Sequence, residues 1–76
     1  MVRSFVMVET AAGSIESVLE AVVGLAGVEE AHVVAGDYDI VVEVEGSDVR
    51  ESIQVVSTDL RELEGILDTR TYIALE

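Results

Sequence analysis

A run of β-branched residues interrupted only once does most to limit the folds open to this chain: Val33-Val34-Ala35-Gly36-Asp37-Tyr38-Asp39-Ile40-Val41-Val42-Glu43-Val44. Valine and isoleucine are stiff at χ1 and pack well on a pleated surface, so each flank reads as a strand. The break is too short for anything but a reversal, which predicts a tight hairpin with Gly36 at positive φ. The same break sets two carboxylates and a phenol beside a sharp bend. On the residues alone it reads either as turn chemistry, which favours aspartate, or as a set of acceptors able to hold an ammonium or an amide.

The remaining elements follow from periodicity. Val2 to Glu9 reads as a first strand, broken at Ala11-Ala12-Gly13. Ser14 is placed to cap a helix in which Ile15, Val18, Leu19, Val22 and Ala26 form the apolar stripe, with Glu16 in the first turn and Gly27 as its stop. Val28 to Ala35 is the second strand. Asp39 to Glu45 is the third, with Ile40, Val42 and Val44 on one face and Val41, Glu43 and Glu45 on the other. Asp48 and Glu51 resemble a capping box before a second helix with Val49, Ile53, Val56, Leu60 and Leu63 on its stripe, closed by Gly65. Leu67 to Leu75 is the last strand. The order βαββαβ predicts a ferredoxin-like α+β fold: one four-stranded antiparallel sheet, the first and third strands central, two helices on one face. Residues 1–76 are expected to form a single domain.

Sixteen acidic residues against four arginines and no lysine give a formal net charge of −12. Such a chain repels nucleic acid, whose binding depends on Lys and Arg. It reads either as a merely acidic protein or as one adapted to a high-salt cytoplasm, where screening makes dense carboxylates tolerable. The missing lysine and the many small apolar residues favour the halophilic reading. No cysteine is present, and no apolar run approaches the ~20 residues of a membrane span. A soluble cytoplasmic protein with no secretion signal is expected. A hydrophobic fraction of 50% is high for 76 residues and predicts subunit contacts, with Met7, Val41 and Tyr72 on strand faces that two helices leave open.

Catalytic readings find little support. His32, the only histidine, lies in a strand pattern without a cysteine or a nearby serine to activate, and one histidine with scattered carboxylates is too little for a transition-metal site. Glu43 and Glu45 share a strand face and offer at most a weak hard-cation site. The glycines lack the basic partner and strand-to-helix setting of a phosphate loop. Thr69 and Thr71 share a face of the last strand, either as ordinary β-branched strand residues or as two hydroxyls for a ligand. No enzyme, metal or cofactor is expected.

The Val33–Val44 segment resembles the signature hairpin of the effector-binding domain of the leucine-responsive/asparagine-regulatory (Lrp/AsnC) transcription regulators. Leu25-Ala26-Gly27-Val28-Glu29-Glu30-Ala31 is similar to that family's passage from helix to second strand, though Ala26 stands where proline is common. Thr69-Arg70-Thr71-Tyr72-Ile73-Ala74-Leu75 resembles its final strand. The resemblance implies a sensing module that dimerises through its sheets. Dimers would assemble into tetramers, octamers or decamers and hold an amino-acid effector between them. It places Gly36, Asp37, Tyr38, Asp39, Thr69 and Thr71 at the ligand. Because Met1 opens on the first strand, the chain is similar to members without the DNA-binding half, which would act through partners such as full-length DNA-binding relatives.

Three alternatives stay open. An ACT-like amino-acid-binding module would use the loop at Ala11-Ala12-Gly13. A small ferredoxin-like enzyme of the monooxygenase or isomerase type needs His32 in a polar cavity. A purely structural assembly unit would bind nothing.

Overall fold

The computed structural model describes residues 2–76, apart from the side chains of Ser52, Val56 and Ser57. Four strands, β1 (Val2–Thr10), β2 (Val28–Val33), β3 (Ile40–Gly46) and β4 (Ile66–Ile73), form one antiparallel sheet in the order β2-β3-β1-β4. The helices are α1 (Ile15–Val23) and α2 (Val49–Gln54), the latter continued by a π-helical stretch, Val55–Leu60. This is the expected ferredoxin-like arrangement, with the first and third strands central.

Period-two alternation in β1 and β3 decides which face is covered. Ser4, Val6, Val8 and Thr10 alternate with Phe5, Met7 and Glu9, and Ile40, Val42 and Val44 alternate with Val41, Glu43 and Glu45. The even set lies under the helices. Val6, Val8, Ile40, Val42 and Val44 meet Val18 and Val22 of α1 and Leu60, and all eight are at most 1% exposed. Each such side chain contributes about 1.5–3 kcal/mol relative to an exposed one. Ser4 shares this face, its hydroxyl buried without a hydrogen-bond partner among the described residues.

α1 packs over β2 and β3, and α2 over β3 and β1, which leaves β4 the least covered strand. At its start Gly65 has φ +93°, and a Cβ there would lie 2.9 Å from Ser14 Cβ and 3.1 Å from a Val18 methyl. Only glycine allows this close passage against α1. Ala11 N–H donates to Gly65 O at 2.7 Å and locks the junction.

Three local expectations are corrected. α1 stops at Val23, before Gly27, with Gly24 N–H bonded to Ala21 O; Leu25 turns back onto the core and Ala26 is exposed. The second helix is not one α-helical stripe. Val49 and Ile53 are 42% and 49% exposed, while Val55 and Leu60 face the core, because π winding beyond Gln54 changes the angular step per residue. Val56, placed on that stripe, lies outside the described residues. Finally, the β2–β3 connection is a six-residue bend, 34–39, and Gly36 does not adopt positive φ. The capping box forms in part: Glu51 N–H donates to Asp48 Oδ1 at 2.9 Å, and the Glu51 carboxylate reaches back to Ser47, one residue beyond the N-cap.

Candidate functional site

The connection between β2 and β3 is held from inside by Asp39. Its Oδ2 accepts the backbone N–H of Thr10 at 2.8 Å and the Thr10 hydroxyl at 3.1 Å. Its own N–H donates to Val8 O at 2.9 Å, and its C=O accepts from Val34 N–H at 2.9 Å. Three of these bonds fasten the loop across the end of β1, and the fourth closes the loop on itself. A wider loop than a tight hairpin is therefore stable, because its ordering comes from the neighbouring strand and not from a glycine turn.

Thr10 is a site residue that sequence reasoning missed. It continues the buried phase of Ser4, Val6 and Val8 and is 7% exposed, so its hydroxyl needs a partner. That requirement was the only available signal. The partner is 29 residues away.

With Asp39 anchored, Gly36 and Asp37 stand exposed at the tip, while Tyr38 and Asp39 are half-buried. Thr69 and Thr71 pair with Val8 and Val6, so they share the helix side of the sheet. Thr71 is exposed there because the helices lie over the other three strands. Val8 sits between Ile40 and Thr69, so loop and threonines occupy the same end of the sheet. Within one chain they are kept roughly 10 Å apart, two strand spacings, by β1.

Among the described residues no helix covers the opposite sheet face. Phe5 lies between Glu43 and Tyr72, and Met7 between Val41 and Arg70, which places Met7, Val41 and Tyr72 together on the open face as expected. Arg3 hydrogen-bonds Glu45 and stands 3.6 Å from Glu43. The hydrogen bond from Arg3 is the chief cause holding the Glu45 carboxyl below its ordinary range, and the same bond raises the guanidinium. The Glu43–Glu45 pair is thus answered by an arginine, which removes the reason to see a hard-cation site in it. His32 is 59% exposed on this open face, 3.3 Å from Glu30, and not enclosed in a cavity. An open groove of about 450 Å³, lined by Glu29, Glu45, Gly46, Ser47 and Glu51, lies at the far end of β3 from the loop.

Comparison with known proteins fits this geometry. Residues 3–76 match the family model described as the Lrp/AsnC ligand binding domain. The chain is 36% identical over 56 residues to the leucine-responsive regulatory protein of Haemophilus influenzae, covering 74% of this chain and 34% of that protein. It spans little more than a third of the length of such curated relatives. The crystal structure of FFRP-DM1 superposes with a TM-score of 0.92 at 36% identity, covering 99% of this chain and 100% of that one. Escherichia coli AsnC superposes with a TM-score of 0.91 at 25% identity, covering 99% of this chain and 51% of that one.

Proposed function

We propose, from the premise that this chain belongs to the Lrp/AsnC family through its ligand-binding domain, that it senses an amino acid and passes the signal on through protein contacts. Support comes from the match over residues 3–76 and from 36% identity to a relative whose name states a response to leucine. The observation that carries the reading is the clip between Asp39 and Thr10. It fixes the loop while presenting Gly36 and Asp37 outward at the end of the sheet where Thr69 and Thr71 lie.

Asp37, and the Asp39 oxygen outside the clip, suit an α-ammonium, and loop N–H groups and the threonine hydroxyls suit an α-carboxylate. The roughly 10 Å between the loop and the threonines of one chain exceeds the span of an amino-acid head group. A second copy therefore closes the site, and Tyr38 with that copy's residues selects the side chain.

Pairing through the open face, with Phe5, Met7, Val41 and Tyr72 at its centre, gives the dimer. Dimers then assemble through loop ends into tetramers, octamers or decamers. An exposed His32 beside Glu30 offers neither an activated nucleophile nor an enclosed base, so the role is not enzymatic. A net charge of −12 turns the domain away from nucleic acid and towards partner proteins in the cytoplasm, DNA-binding relatives among them.

Calorimetry against the standard amino acids tests this. Asp37→Asn removes a charge and leaves the clip intact, so it should weaken the ligand that binds about ten- to hundredfold, the equivalent of ~1.5–3 kcal/mol. Thr71→Val should weaken it too, with the fold unchanged. If no amino acid binds more tightly than about millimolar, ~4 kcal/mol, the domain is a structural assembly unit.

A further inference from the structure

We propose that Glu30, His32 and Glu43 form a site for a divalent transition-metal ion of the zinc type, at the margin of the open sheet face. One donor atom from each residue, the imidazole nitrogen and two carboxylate oxygens, lies within 4.8 Å of the others. The strand register gathers them. Glu30 and His32, two apart on β2, point to the same face, and the register sets Glu43 of β3 directly opposite Glu30, with Val41 opposite His32. Read along the sequence, the histidine and the carboxylates are scattered. Cross-strand pairing makes them a cluster.

Electrostatics and donor chemistry both favour an ion there. Two carboxylates directly opposed on an antiparallel pair repel one another. Arg3 gives its hydrogen bond to Glu45 and only a longer ion pair, 3.6 Å, to Glu43, so one guanidinium is shared between two carboxylates, and Glu30 faces His32 at 3.3 Å. The chain has only four arginines to set against its sixteen acidic residues. A mixed imidazole and carboxylate set suits zinc, cobalt or nickel, with water completing the coordination; magnesium and calcium favour oxygen donors alone. The groove at Glu29, Glu45 and Glu51 lacks that nitrogen, and Arg3 already answers its Glu45.

β2 is an edge strand, held to the sheet by β3 alone. An ion bridging Glu30 and His32 to Glu43 staples the two strands whose connection is the 34–39 loop. Its effect is therefore to stiffen the hairpin that carries the proposed effector loop, independently of whether an amino acid binds there.

The experiment is zinc titration by calorimetry, with magnesium in excess to saturate diffuse binding by surface carboxylates. Wild type, His32→Gln and Glu43→Gln are compared, each checked for its fold by circular dichroism. Wild type should take up one zinc ion per chain and melt at a higher temperature with zinc than without. Loss of even an outer-shell partner costs roughly 10- to 100-fold in metal affinity, so each variant should bind at least that much more weakly. His32→Gln leaves the acidic charge unchanged. Equal zinc affinity in His32→Gln and wild type, or complete displacement of zinc by magnesium, overturns the proposal.

Discussion

Cutting the clip between Asp39 and Thr10 from each side gives the most direct measure of what holds the candidate loop. Thr10→Val removes the hydroxyl donor at 3.1 Å, keeps the backbone N–H bond at 2.8 Å, and preserves the shape of a residue only 7% exposed. A hydrogen bond to a charged group is worth about 1.5–3 kcal/mol, and the length of this one puts it near the lower figure. The added methyl returns about 0.8 kcal/mol of burial. The net loss should be about 0.5–1 kcal/mol.

Asp39→Ala removes both bonds and leaves a buried N–H and a buried hydroxyl without their acceptor, so it should cost about 2–4 kcal/mol. In the double variant the orphaned hydroxyl is gone, and the loss should be smaller than the sum by about 1 kcal/mol. Denaturant unfolding followed by circular dichroism, at one fixed protomer concentration so that any change in assembly does not enter, reads all four corners of the cycle. A difference of 1 kcal/mol moves the melting temperature of a domain this small by about 4–8 °C, well within measurement. If the two substitutions add to within ~0.5 kcal/mol, the side chains are not coupled and the account of the loop fails.

Gly65→Ala meets both a left-handed backbone and Ser14 Cβ at 2.9 Å, whereas Gly13→Ala, at φ +80°, enters open space. The second should cost about 1–2 kcal/mol from conformation alone, and the first clearly more by the same unfolding assay; equal losses would remove the contact with α1 from the explanation. The Glu45 carboxyl, depressed chiefly by its hydrogen bond from Arg3, contributes stability that is present above the unfolded value of about 4.3 and is lost as pH falls through its lower folded value. Arg3→Gln should therefore flatten the acid side of a plot of melting temperature against pH; an identical acid limb in both proteins contradicts this. Below ~0.1 M salt the Debye length exceeds about 10 Å, so sixteen carboxylates on a small subunit should lower the melting temperature and, by light scattering, loosen the assembly. A melting temperature unchanged by desalting would count against adaptation to high salt.

The sheet was legible because its signal is local. Alternation at Ile40, Val42 and Val44 and the β-branched runs define strands without reference to anything distant, and element order then leaves few topologies. The loop was legible in composition but not in shape. Gly-Asp-Tyr-Asp looks like a tight turn until Thr10 arrives from another strand and supplies the bonds that make a longer bend stable. The second helix went astray for a related reason. A single angular step along the whole segment puts Val49 and Ile53 on the buried stripe, but the π-helical stretch from Val55 changes the step, so that Val49 and Ile53 end up outside and Val55 inside. Glu30, His32 and Glu43 were each visible in the sequence, but their proximity belongs to the register between two strands.

The sheet also has two unpaired edges, and neither is a good template for a further strand. β2 is six residues long and lines its rim with Glu29, Glu30 and His32, all exposed. β4 breaks step where Glu9 faces Asp68 but Thr10 faces Ile66, so Leu67 bulges from the ladder and stands 64% exposed. Short, charged or bulged margins resist the addition of foreign backbone. A small valine-rich protein with long regular margins would be at risk of growing by strand addition into fibres. Here both margins are blunted, which leaves the open face and the loop ends as the surfaces for the proposed assembly.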